Sequence, residues 1–128
     1  MKRIFMWVLM VYLSHQLVRA DVLITGIIHG TLTGGKPKAI ELFITGWEDL
    51  GQYEIWRSNN GGAFGLGSGS IAGLTGQYEN TFVFLVKPDC LTEFQNIFGN
   101  TGIYANVIAM GIVTGNGNDG FQIRDTAT

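Results

Sequence analysis

The sequence predicts an all-β fold, a sandwich of two pleated layers with one short helix around 89–98, standing behind a leader that is removed on export. Three observations lead there. From Asp21 onward the chain breaks into strand-length apolar or alternating segments separated by Gly, Asn, Asp and Pro. A single segment carries apolar residues at helical spacing. The first residues form a basic start followed by a ten-residue apolar run.

The leader comes first. Lys2 and Arg3 precede an unbroken apolar stretch, Ile4 to Leu13, and Ser14, His15 and Gln16 restore polarity. This is the n-region and h-region of a secretory signal, with Val18 and Ala20 placing the cleavage at Ala20/Asp21. About 20 apolar residues are needed to span a bilayer, so a run of this length predicts a cleaved peptide rather than an anchor. Nothing after Asp21 is continuously apolar enough to cross a membrane as a helix. The expected destination is the cell exterior or surface, and the expected division is a signal peptide, 1–20, and one domain, 21–128.

The strands follow in order. Asp21 to Ile28 is β-branched and apolar, and Gly30 to Pro37 reads as a loop. Lys38 to Thr45 puts Ile40, Leu42 and Ile44 on one face and Ala39, Glu41 and Phe43 on the other, because successive side chains of a strand point to opposite faces. Trp47 to Leu50 reads as a turn. Gln52 to Arg57 alternates again, with Tyr53 and Ile55 opposed to Glu54 and Trp56. Ser58 to Gln77 is dense in glycine, with Phe64, Leu66, Ile71 and Leu74 scattered through it, and predicts a long loop or irregular hairpin.

Thr81 to Val86 is apolar on both faces, the pattern of a strand at the centre of the core. Pro88 and Asp89 open a helix of two to three turns in which Leu91, Phe94, Ile97 and Phe98 recur at helical spacing up to Gly99. Ile103 to Val113 reads as strand, Gly115 to Gly120 as turn with an Asp-Gly hairpin signal, and Phe121 to Arg124 as a further strand.

Composition narrows function. Without residues 1–20 the chain keeps five basic residues, Lys36, Lys38, Arg57, Lys87 and Arg124, against ten acidic ones, a formal charge of −5. That balance repels nucleic-acid backbones and anionic lipid, so neither is an expected partner. Cys90 stands alone, which excludes an intrachain disulfide and reads as a small buried hydrophobe. The mature chain holds one histidine, His29, and one Cys plus one His cannot supply the ligands of a zinc site. No nucleophile elbow and no Walker motif occurs. The expectation is a domain with no catalytic residues and no cofactor.

Asn116, Asn118, Asp119 and Asp125 bring oxygen donors to the last turn and are the candidates for calcium. Their spacing departs from the EF-hand loop, so a tight turn is the stronger reading. Glu41, on a mostly apolar strand, is expected to satisfy loop amides or a lysine such as Lys38. Trp47, Trp56 and Tyr78 are the candidates for binding a protein or glycan partner, since aromatics on a rigid sheet stack on sugars or anchor interfaces. At least two of the three are expected to close the ends of the core instead.

The order of four segments resembles the lamin-tail-domain family. They are V-L-I-T-G-I-I at 22–28, A-I-E-L-F at 39–43, a strand introduced by L-G-Q-Y at 50–53, and T-F-V-F-L-V at 81–86 followed by a helix and N-G-N-D-G-F-Q-I-R-D at 116–125. The resemblance implies an immunoglobulin-like β-sandwich, with Glu41 and Asp119 as the family-like acids. Gly120, the length of the 58–77 glycine stretch and the lack of closing strands after 125 depart from that pattern, and the last departure implies a fragment whose final strands are missing. Diverged secreted copies of the family accompany extracellular nucleases, phosphoesterases and surface repeats. The resemblance therefore implies a non-catalytic interaction or structural module of an exported protein. The alternatives are the N-terminal accessory part of an extracellular hydrolase, with its catalytic residues beyond Thr128, and a carbohydrate-binding module.

Overall fold

A computed structural model describes residues 21–65 and 69–127; the leader and Leu66 lie outside the described residues. Seven strands form two sheets. The strands are β1 (Asp21–Leu32), β2 (Lys36–Asp49), β3 (Tyr53–Ser58), β4 (Ser70–Gly73), β5 (Gln77–Val86), β6 (Val107–Ala109) and β7 (Gly120–Asp125). The larger sheet has the order β1-β2-β5-β6 and the smaller the order β4-β3-β7. The described residues form a two-sheet, sandwich-like β fold with one α-helix among them, α1 (Leu91–Phe98), which continues a 3-10 turn at Pro88–Cys90.

β2 and β5 are the backbone of the larger sheet, and their side chains divide as alternation predicts. Ile40, Leu42 and Ile44 enter a cluster with Val83 and Leu85 of β5 and Ile55 of β3. Ala39 and, from β5, Phe84 and Val86 enter a second cluster with Phe94 of α1. The sheet is thus covered on one face by the smaller sheet and on the other by the helix. A bulge between Ile24 and Gly26 resets β1 by one residue, so Val22 and Ile24 face the first cluster while Ile28 joins the second. Glu41 lies on the helix-facing side, half-buried, and its Oε1 accepts from the Thr25 hydroxyl at 2.7 Å. Its partner is therefore a neighbouring strand's hydroxyl, neither loop amides nor Lys38.

Four expectations are corrected. The loop at 30–37 contracts to a turn at 33–35, because β1 and β2 continue pairing to Leu32↔Lys36. The turn at 47–50 becomes strand as far as Asp49, since a second bulge after Ile44 lets Trp47, Glu48 and Asp49 pair with β5, and a 3-10 turn follows at Leu50–Gln52. Residues 103–113 are mostly not strand: a 3-10 turn spans Gly102–Ala105 and β6 keeps three residues, parallel to β5. A parallel pair needs a crossover connection, and α1 supplies it. Beyond β6, Met110, Ile112 and Val113 leave the sheet and bury their side chains between the layers. The Asp-Gly turn consequently closes no hairpin; 110–119 carries the chain from one sheet to the other, where β7 pairs with β3.

Candidate functional site

The predicted binding aromatics do not gather. Of the three, Tyr78 alone packs, partly buried, against the cluster between the sheets, so the expectation that two or more of them close the core is corrected. Trp47, after the second β2 bulge, is 57 % exposed. Trp56 lies on β3, on the smaller sheet, with its ring already engaged. Arg124 of β7 stacks over it, guanidinium carbon 3.8 Å from the ring centroid, and its Nε1 donates to Glu54 at 2.9 Å. Gly65, at φ +80°, lets the loop after β3 lie against that ring, where an added Cβ would sit 2.4 Å from it.

The calcium candidates separate too. Asn116 and Asn118 are exposed on the 110–119 connection, and Asp119 accepts the Asn60 backbone N–H at 2.9 Å, tying that connection to the loop after β3. Asp125 is at the other end of β7, opposite Tyr53, whereas Gly120 is opposite Ser58. At about 3.3 Å per residue the strand puts roughly 16 Å between its ends, too far for one ion. Among the described residues no group of three or more His, Cys, Asp or Glu side chains comes together. Cys90 is fully buried beside Phe84 and Phe94.

A different set of residues converges. On β2 the inward positions run Lys38, Ile40, Leu42, Ile44, and on β3 they run Tyr53, Ile55, Arg57; both strands therefore end their apolar inner stripe on a cation. Lys38 and Arg57 line a polar cleft of about 280 Å³ with Asn59, Asn60, Thr114 and Asp119. Lys38 Nζ donates to the Gly115 carbonyl, and Arg57 Nη1 donates to the Thr114 carbonyl at 3.3 Å. Arg57 Nη2 reaches Ser70 Oγ at 3.5 Å, while Nε is buried and has no hydrogen-bond partner among the described residues. An unpaired buried donor costs on the order of 1–3 kcal/mol, so the guanidinium is held with hydrogen-bonding capacity to spare.

The cleft stands out because the other cations among the described residues are engaged elsewhere. Lys36 and Lys87 pair with Asp89, at 3.5 Å and 2.9 Å, and Arg124 stacks on Trp56. Lys38 and Arg57 form no ion pair among the described residues, although Asp119 shares their cleft. Next to it lies a mostly apolar cavity of about 130 Å³, lined by Ile27, His29, Ile40, Val113 and Phe121 and sharing Lys38, Gly115 and Asp119 with the cleft. The signal that reveals this site is strand parity: Lys38 and Arg57 occupy positions that alternation turns inward, where a charge is expensive unless something meets it. Which two strand ends face each other is the part that periodicity does not carry.

Comparison with known protein families, curated proteins and solved structures finds no match for this chain.

Proposed function

We propose that this chain is a non-catalytic interaction module of an exported protein, an immunoglobulin-like sandwich of the lamin-tail type, which takes its ligand in the cleft between Lys38 and Arg57. One observation carries the reading: two cations from opposing sheets meet in one cavity without a carboxylate paired to either. Such a pair, held by backbone carbonyls on a rigid frame, suits recognition of a negatively charged group. Export is supported by the basic start and apolar run of residues 2–13, and the family reading by the segments at 22–28, 39–43 and 81–86 falling on β1, β2 and β5 and those at 50–53 and 116–125 leading into β3 and β7.

The exposed Trp47 favours a second contact, with a glycan or protein surface, on the larger sheet. The test uses protein recovered from the medium after secretion of the full chain. Its N-terminus should read Asp21, it should gain thermal stability from small organic anions, and it should turn over no phosphodiester, ester or glycoside. Retention of the leader, or hydrolysis by the purified protein that survives further purification, would refute this reading.

A further inference from the structure

We infer that the polar cleft and the apolar cavity beside it form one two-part site for a small aryl carboxylate, with the ring in the apolar part and the carboxylate on Lys38 and Arg57. The inference rests on the cleft being the module's ligand site. Three features lead to this ligand class. Lys38, Gly115 and Asp119 belong to both spaces, so one molecule can occupy the two together. The cleft, at about 280 Å³, is already at the lower end of small-molecule sites, roughly 300 Å³, and the apolar space adjoins it.

The mostly apolar part measures about 130 Å³ and is lined by Ile27, Ile40, Val113 and Phe121, with the His29 ring beside Lys38 at its wall. A dry cavity of about 150 Å³ lined by aliphatic and aromatic side chains is large enough for benzene, so a single ring matches this space and a fused ring system exceeds it. The cleft part supplies the charge. Lys38 and Arg57 now donate to neutral carbonyls, one of them at 3.3 Å. A carboxylate accepts shorter, charge-assisted bonds from such groups and can take two from one guanidinium.

Asp119 sets the charge of the ligand. Asp119 lines both spaces with one carboxylate oxygen held by the Asn60 N–H, so Lys38 and Arg57 are set against one carboxylate, with the His29 imidazole at the wall of the ring space. A monoanion is accommodated by that balance, whereas a phosphate dianion is opposed by Asp119. A neutral aromatic fills the ring space but leaves both cations unmet.

The experiment is titration calorimetry of the secreted protein with phenylacetate, acetate, benzyl alcohol and inorganic phosphate. Phenylacetate should bind at least about tenfold more tightly than any of the other three, each of which lacks one part of the recognition or adds a repelled charge. Ile27→Gln changes an exposed wall of the ring space, so the fold is kept; it should bring phenylacetate down toward acetate and leave acetate unchanged. Lys38→Met should weaken phenylacetate about tenfold or more while benzyl alcohol is unaffected. If Lys38→Met does not fold, the Ile27→Gln result decides. Equal affinity for phenylacetate and phosphate, no binding of phenylacetate at millimolar concentration, or an unchanged Ile27→Gln protein each overturns the two-part site. Binding of a different anion that competes at the cleft leaves the module reading standing and removes only the aryl carboxylate.

Discussion

The two faces of the larger sheet are packed by different means. Between the sheets the filling is aliphatic: Ile40, Leu42, Ile44, Ile55, Val83 and Leu85 are fully buried, drawn from strands far apart in sequence. Under α1 it is aromatic. Phe84 lies 5.4 Å from Phe94 and 5.3 Å from Tyr104, and Phe94 lies 4.9 Å from Phe98, so a chain of rings fastens eight helical residues to the sheet. Aliphatic side chains from two pleated surfaces interdigitate, and one short helix offers too few of them. Large rings reach further and supply the same burial from fewer positions, at about 1.5–3 kcal/mol for each fully buried large side chain.

The comparison breaks if the two layers unfold as one. Phe94→Ala should cost about 3–5 kcal/mol, the range for emptying a buried aromatic position, read from urea unfolding. Amide exchange should rise over 91–98 before it rises at Ile40, Leu42 and Val83. Leu42→Ala, at about 2–5 kcal/mol, should instead raise exchange in both sheets together. Matching exchange profiles for the two variants would show one cooperative core with no distinction between its faces.

A smaller effect concerns the outer face of the smaller sheet. Gly65→Ala forces a side chain into φ +80° and against the Trp56 ring, for an expected loss of about 1–3 kcal/mol in thermal or urea unfolding. The Trp56 fluorescence should shift as the ring is displaced. An unperturbed spectrum would mean that the loop after β3 does not lie on that ring.

Acid–base behaviour distinguishes the ends of the molecule more gently. Burial, with a hydrogen bond to Glu48 next in weight, pushes the Tyr53 hydroxyl up to about 12. A folded value above the unfolded one, near 10, means full stabilisation below pH 10 and its loss as pH rises from there through about 12. Absorbance at alkaline pH should show one tyrosine titrating late, and Tyr53→Phe should flatten the fall in stability over that window. The weakest effect is at α1, where the hydrogen bond from Lys87 holds Asp89 below its ordinary range. Its contribution is present above that ordinary range and fades as pH falls through the lowered value. Asp89→Asn should remove this acid dependence with little change at neutral pH, and added salt should mimic the variant.

Much of this was legible before any tertiary contact was known. The faces of 38–45, 52–57 and 81–86 and the helix opened by Pro88 are local consequences of alternation, helical spacing and end chemistry. Legibility failed where a segment with strand composition served another purpose. Ile103 to Val113 has the right residues for a strand, yet Met110, Ile112 and Val113 plug the space between the sheets, a role with no local signature. The candidate site was half legible: Lys38 and Arg57 sit at inward positions, but the aromatic and Asn/Asp positions drew the eye because their side chains carry familiar chemistry.

By itself the sequence determined that 21–28, 38–45, 53–57, 81–86 and 121–124 lie in strands, which side of the central ones is apolar and where the helix after Pro88 starts, because these depend on neighbours within a few residues. The tertiary structure decided that the inner stripes of β2 and β3 end on the same opening, that the 110–119 connection plugs the core and that Asp125 stands apart from Asp119. These are matters of how two sheets are stacked, and stacking depends on contacts between residues distant along the chain, to which a residue's own spacing is blind.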